Sequence, residues 1–140
     1  MSNQHSIEGE SSPCTPDSSK FTILYYNARS LMPKMDELHT IVESQRPSVI
    51  IILCVVETWL SEEVSDQEFS LFEYQVIRLD RNRHGGGIVI FVHNAISVGV
   101  LLSGPNELEF LAVSLCSPNS TRKHCIALLY HSPSCPVSFF

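Results

Sequence analysis

No apolar run in the chain is long enough to cross a bilayer: the longest, Val49 to Val56, spans eight residues, where a spanning helix needs about twenty. The first residues lack the positively charged start and apolar stretch of a secretory signal, so export by that route and membrane embedding are both excluded as expectations. Positive charge is scarce. Nine Lys and Arg against fifteen Asp and Glu leave a formal charge of −6, which rules out coating of nucleic acid by bulk attraction and confines any such contact to a local patch. No Cys-x-x-Cys pair occurs among Cys14, Cys54, Cys116, Cys125 and Cys135, and their odd number leaves at least one thiol unpaired in any disulfide scheme. Cys54, Cys116 and Cys125 lie within apolar runs, where a thiol serves as a small buried hydrophobe. A reducing, intracellular location, cytoplasm or nucleus, is the expectation.

What is present is ordinary globular material: 140 residues with 44% hydrophobic and 17% charged side chains, enough for one compact domain or part of a larger one. The charge is uneven, with twelve acids against four Lys or Arg over residues 1–73 and three against five over residues 74–140. Residues 1–19 form a Ser- and Pro-rich tail without period, expected to be disordered, and residues 20–140 form the folded part.

Phe21 to Tyr26 is β-branched and aromatic and reads as a strand. Met35, Leu38, Ile41 and Val42 then fall on one helical stripe, with Pro33 suited to the first turn and Pro47 closing the region. Ser48 to Val56 reads as a strand covered on both faces. Ser65 and Glu68 have capping-box spacing for a short helical turn. Further strands are expected at Tyr74–Leu79, Ile88–Val92, Ile96–Leu102, Leu108–Cys116 and His124–Tyr130, with turns near Gly104-Pro105-Asn106 and Pro118-Asn119-Ser120, as a run able to form a meander. The class is α/β or α+β, with the sheet as its main element.

Two polar residues stand at strand ends, Asn27 after the first strand and Glu57 after the buried one. If those strands are parallel neighbours, both side chains emerge at the sheet edge where α/β sites lie. A carboxylate and an amide there suit a hard divalent cation and a phosphate. The alternative is that Asn27 makes a turn and Glu57 caps the next segment. Arg78, Arg81, Arg83 and His84 precede the triple glycine Gly85 to Gly87; they form either a local phosphate-contacting patch or a solvated hairpin loop. The glycines lack the spacing and following helix of a nucleotide cradle and read as a turn into a strand.

The stretches Tyr26-Asn-Ala-Arg-Ser-Leu31, Glu57-Thr-Trp-Leu60, Arg78-Leu-Asp-Arg-Asn-Arg-His-Gly-Gly-Gly87 and Leu129-Tyr-His-Ser-Pro133 stand in the order seen in the endonuclease/exonuclease/phosphatase superfamily. From about Phe21 to Pro133 the chain most resembles the apurinic-endonuclease-like domain of non-LTR (LINE-type) retrotransposons. The resemblance implies a Mg²⁺- (or Mn²⁺-) dependent phosphodiesterase acting on DNA, built on a deoxyribonuclease-like two-sheet sandwich with flanking helices. It implies that Asn27 positions metal or phosphate, that Glu57 is the principal metal ligand, and that Tyr130 hydrogen-bonds the scissile phosphate.

The chain departs from that pattern in several places. A later Asp-x-Asn after a Gly and a Ser-Asp-His do not follow Tyr130; Asp80-Arg-Asn82 belongs by order to the Arg-rich loop and is not catalytic. His124 and His131 flank the strand carrying Tyr130 with no preceding Asp, His131 stands where Arg is common in relatives, and His39 and His93 read as surface or satisfied histidines rather than ligands. The run from Pro47 to Glu57 is about three residues longer than usual, and an odd insertion flips alternate strand side chains unless a bulge absorbs it. The expectation is therefore the N-terminal part of such a domain, inactive alone, with an apolar sheet face left for a missing C-terminal half or another chain. The alternatives are a non-catalytic interaction module, domesticated or relic, and a phosphatase of the same superfamily.

Overall fold

The computed structural model describes residues 22–45, 51–104 and 109–131. The Ser/Pro-rich tail, Phe21, Pro47, the start of the run toward Glu57, the Pro105-Asn106 turn, Leu108 and Pro133 lie outside the described residues, as do Cys14 and Cys135.

Strand β1 (Thr22–Asn27) leads into a 3-10 turn at Met32–Lys34 that accommodates Pro33, and this runs into helix α1 (Met35–Gln45). The expected stripe is real: Met35, Leu38 and Val42 are buried and Ile41 half-buried, while Asp36 and Glu37 occupy the first turn, where the helix dipole favours acids. Tyr26 ties β1 to the helix by donating to Glu37 at 2.9 Å.

After α1 the chain enters β2 (Ile51–Val56), which pairs parallel with β1, Asn27 lying opposite Val56. A strand-helix-strand crossover makes this pairing parallel. The capping box forms as well: Glu68 Oε2 accepts from the Ser65 backbone N–H at 2.7 Å, starting a 3-10 turn at Asp66–Phe69.

Strands β3 (Tyr74–Leu79) and β4 (Ile88–His93) form a hairpin, and β4 inserts between β3 and β2, giving the order β1-β2-β4-β3. As a central strand buried on both faces, β4 needs the unbroken Ile-Val-Ile-Phe-Val run that it has. The meander is confined to β5 (Ser97–Ser103), β6 (Glu109–Cys116) and β7 (Lys123–Tyr130), which pair antiparallel in sequence order as a separate three-stranded sheet with a register shift between Val100 and Leu102. The fold is mixed α/β, with two sheets and one α-helix among the described residues.

Alternation along β2 divides the core in two. Leu53 and Val55 join Val89, Phe91 and the α1 stripe on one side of the first sheet. Ile52, Cys54 and Val56 join Ile88, Ile90 and Val92 against Leu111, Val113 and Leu115 of the second sheet. Each large aliphatic side chain buried in this way contributes about 1.5–3 kcal/mol.

The second core does not reach the edge strand. Ile23 and Tyr25 lie opposite Ile52 and Cys54, hence on the face that meets the second sheet, yet are 50% and 61% exposed. On the outer face of the second sheet, Leu102 beside Ala112 and Leu129 beside Phe110 are 64% and 51% exposed. No helix among the described residues is long and apolar enough to cross a membrane.

Candidate functional site

The ends of β1 and β2 bring Asn27 and Glu57 to one edge of the first sheet, as their parallel pairing requires. Three loops meet there and are joined by main-chain hydrogen bonds. Ser30 and Leu31 donate to the carbonyls of Glu57 and Thr58, each at 2.9 Å, and Trp59 and Thr58 donate to the carbonyls of Gly86 and Gly87 at 2.9 and 3.3 Å. Lys34 closes the first loop by donating from Nζ to the Ala28 carbonyl at 2.8 Å.

The backbone at this junction is left-handed where no glycine stands: φ is 46° at Arg29, 85° at Ser30, 58° at Glu57 and 55° at Trp59. Such residues cost on the order of 1 kcal/mol or more each and persist where surrounding structure fixes them, typically at functional sites.

Glu57 is half-buried, and its carboxylate is held at both oxygens. Oε2 accepts from the Trp59 indole N–H at 2.5 Å and from the Gly86 N–H at 3.3 Å, while Oε1 accepts from the Tyr130 hydroxyl. A carboxylate offers about four lone-pair positions, so three donors leave one open on Oε1. Asn27, Arg29, Glu57, Trp59 and Tyr130 line a single cleft of about 430 Å³. Asn27, Glu57 and Tyr130, singled out in the sequence, thus share one site, although more than a hundred residues separate the first from the last.

The donor set of the cleft is one carboxylate, one amide and one phenol, all hard oxygen donors. Among the described residues, no group of three or more His, Cys, Asp or Glu could hold a metal ion. One carboxylate and one amide would suit Mg²⁺, which keeps several waters and is commonly held by one or two carboxylates plus substrate phosphate. Glu57 and Asn27 are the residues that would hold it.

The members of the Arg-rich stretch lie in different surroundings. Arg78 spends its guanidinium on the fold: Nε and Nη2 bond Asp80, Nη1 bonds Asp66 at 2.9 Å and the Val64 carbonyl at 2.7 Å, and Nη2 reaches the Ser61 carbonyl at 2.9 Å. It also stacks over Phe69, 5.1 Å from the ring centroid. Arg83 and His84 are exposed on the hairpin loop and bond each other at 3.3 Å. Arg81 is half-buried beside Glu109, whose charge it offsets.

Three residues of the site carry no assignment from the sequence. Arg29 and Trp59 lie inside the conspicuous stretches Tyr26–Leu31 and Glu57–Leu60 and line the cleft. Glu109 is different: it is 2% exposed, heads β6 directly opposite Tyr130, and accepts the Gly87 N–H on Oε1 at 2.5 Å. Burial pushes its carboxyl above the usual range and neighbouring Glu57 adds to the rise, while the Gly87 N–H and Arg81 pull the other way. Its signal in the sequence is phase: an acid at period two with Leu111 and Val113 points inward. Glu109 Oε2 and Thr58 Oγ1 are buried without hydrogen-bond partners. No family model matches the chain, and no curated protein matches it.

Proposed function

We propose that the chain carries the metal- and phosphate-binding elements of a divalent-cation phosphodiesterase of the endonuclease/exonuclease/phosphatase superfamily, most like the DNA endonuclease domain of LINE-type retrotransposons, on a deoxyribonuclease-like sandwich. The observation that carries this reading is the convergence of Asn27, Arg29, Glu57, Trp59 and Tyr130 on one cleft, with the Glu57 carboxylate already oriented by three donors. The order of the four motifs supports it independently.

In this reading Glu57 and Asn27 would hold Mg²⁺ or Mn²⁺, which when bound would supply charge neutralisation at the phosphate and a more acidic water. Tyr130 exchanges its bond to Glu57 for one to a phosphate oxygen, and the Arg29 guanidinium, on the rim of the same cleft, pairs with the phosphate. Trp59 keeps Glu57 Oε2 in place during that exchange. Among the described residues that line the cleft there is no histidine or aspartate suited to take a proton from the attacking water. These residues therefore bind and orient, and the expected behaviour of this chain is binding of metal and phosphodiester with little or no turnover.

Trp59 is the single tryptophan of the chain and touches the proposed ligand, so its emission reports on the site directly. Mn²⁺ titration should quench Trp59 saturably, with Mg²⁺ competing, and Glu57→Gln should weaken Mn²⁺ binding by more than about tenfold. Supercoiled plasmid should be bound in Mg²⁺ and remain un-nicked. Absence of saturable quenching, or equal quenching in Glu57→Gln, overturns the reading.

A further inference from the structure

Glu109 does not line the cleft, yet it touches the glycine turn that holds Glu57 and stands opposite Tyr130 in the sheet. On one side, its Oε1 receives the Gly87 N–H at 2.5 Å, and the Gly86-Gly87 turn in turn receives the Trp59 and Thr58 N–H groups and donates the Gly86 N–H to Glu57 Oε2. On the other, Glu109 is the cross-strand partner of Tyr130, whose hydroxyl donates to Glu57 Oε1. We infer that Glu109 is a positioning residue of this site, which fixes the glycine turn and thereby the direction of the Glu57 carboxylate. That function for Glu57 rests on the phosphodiesterase reading; the positioning itself does not.

The turn has no slack to absorb the loss of this contact unaided. A Cβ placed on Gly86 would lie 2.5 and 2.8 Å from the two Glu109 oxygens, and one on Gly87 would lie 2.3 Å from Thr58 Oγ1. Both glycines also hold positive φ, 70° and 95°. The turn is thus shaped by close approach of Glu109 from one side and Thr58 from the other. An acid buried to 2% exposure and used only as packing would be costly, since apolar residues would fill the same space without desolvating a carboxyl. A single acceptor oxygen aimed at a turn N–H is what the position supplies. An amide of the same length keeps that acceptor oxygen in reach of the Gly87 N–H and is its close substitute.

Three variants of the full chain test this: Glu109→Gln retains the acceptor oxygen, Glu109→Asp withdraws it by one methylene, and Glu109→Leu removes it. The first readout is the indole N–H resonance of Trp59, unique in an amide-proton spectrum because the chain has one tryptophan. The second is Mn²⁺ affinity from Trp59 quenching. Glu109→Gln should leave the resonance in place and Mn²⁺ affinity within about twofold of the parent. Glu109→Asp and Glu109→Leu should move the resonance toward that of an unbonded indole and weaken Mn²⁺ about tenfold, the usual effect of losing a residue that orients a ligand.

An unshifted indole resonance in folded Glu109→Asp or Glu109→Leu overturns the inference, as does a shift in Glu109→Gln as large as theirs. If Glu109→Leu fails to fold, Glu109→Asp against Glu109→Gln decides. If the parent chain binds no Mn²⁺, the phosphodiesterase reading fails, while the indole resonance still judges Glu109.

Discussion

Replacing Arg78 by alanine separates two roles that an arginine before a glycine loop can have, contact with a nucleic-acid backbone or support of the fold. Its side chain is 17% exposed and its donors reach Asp80, Asp66 and the carbonyls of Ser61 and Val64. The Asp66 arm is weak, because that carboxylate is 57% exposed and solvent screens the pair to no more than about 1 kcal/mol. The Asp80 arm, at 2.7 Å to a carboxylate 20% exposed, and the two carbonyls dominate. Removing one partner of a buried ion pair costs about 3–5 kcal/mol; partial exposure here brings the expected loss to about 3 kcal/mol. For a domain of this size that lowers Tm by about 10 °C. Urea and thermal unfolding of Arg78→Ala, with exposed Arg83→Ala as a control expected within about 0.5 kcal/mol of the parent, measures it. A loss below about 1 kcal/mol in Arg78→Ala, accompanied by weaker DNA binding, would refute the assignment and return this guanidinium to the ligand.

Burial pushes the Cys54 thiol up to about 11, whereas Cys125 is exposed, so alkylation near neutral pH followed by peptide mapping should mark Cys125 and leave Cys54 intact until urea is added; comparable labelling of both in the native state would contradict the packing of β2. Glu109 sets a pH dependence: below its ordinary value of 4.5 it is protonated folded and unfolded, but above it the unfolded chain ionises first, so its contribution is full at low pH and is lost as pH rises through the raised folded value. Relative to the parent, Glu109→Gln should therefore gain stability as pH climbs from about 4 upward, and urea midpoints that run parallel with pH would show that the carboxyl is ionised in the fold.

Elements governed by local chemistry are legible in the sequence. The helix stripe Met35, Leu38 and Val42, the Ser65-Glu68 capping box and the unbroken apolar run of β4 each specify their structure from within a few residues. Partnership is less legible: nothing near Ile88 says that β4 pairs with β2, some thirty-five residues earlier, rather than continuing a meander toward β5. Arg78 shows the same difficulty on a side chain. Asp80 is two residues away in sequence, but the Ser61 and Val64 carbonyls and Asp66 reach it only once the 3-10 turn packs Phe69 under the guanidinium. Glu109 was half legible, since alternation turns it inward, while its partner Gly87 is fixed only by the stacking of two sheets.

The direction of Glu57 is the case where tertiary structure overrides the local pattern most fully. Val56 faces the second sheet, so continued alternation would aim position 57 with Val55 into the apolar core beneath α1. An ionised carboxylate there would be prohibitive. The left-handed turn at Glu57, φ 58°, ends the alternation and rotates the side chain onto the rim, independent of how many residues precede the strand. That conformation is unfavourable for a glutamate alone and is held by the flanking loops: the Glu57 carbonyl accepts from Ser30, the Thr58 carbonyl from Leu31, and the Thr58 and Trp59 N–H groups bind the glycine turn. Each of those loops belongs to a different strand end, so the aim of the carboxylate depends on β1, β2 and β4 together. The left-handed residues Arg29, Ser30, Glu57 and Trp59 all lie at this junction, so the strained backbone is gathered where the Glu57 carboxylate is aimed.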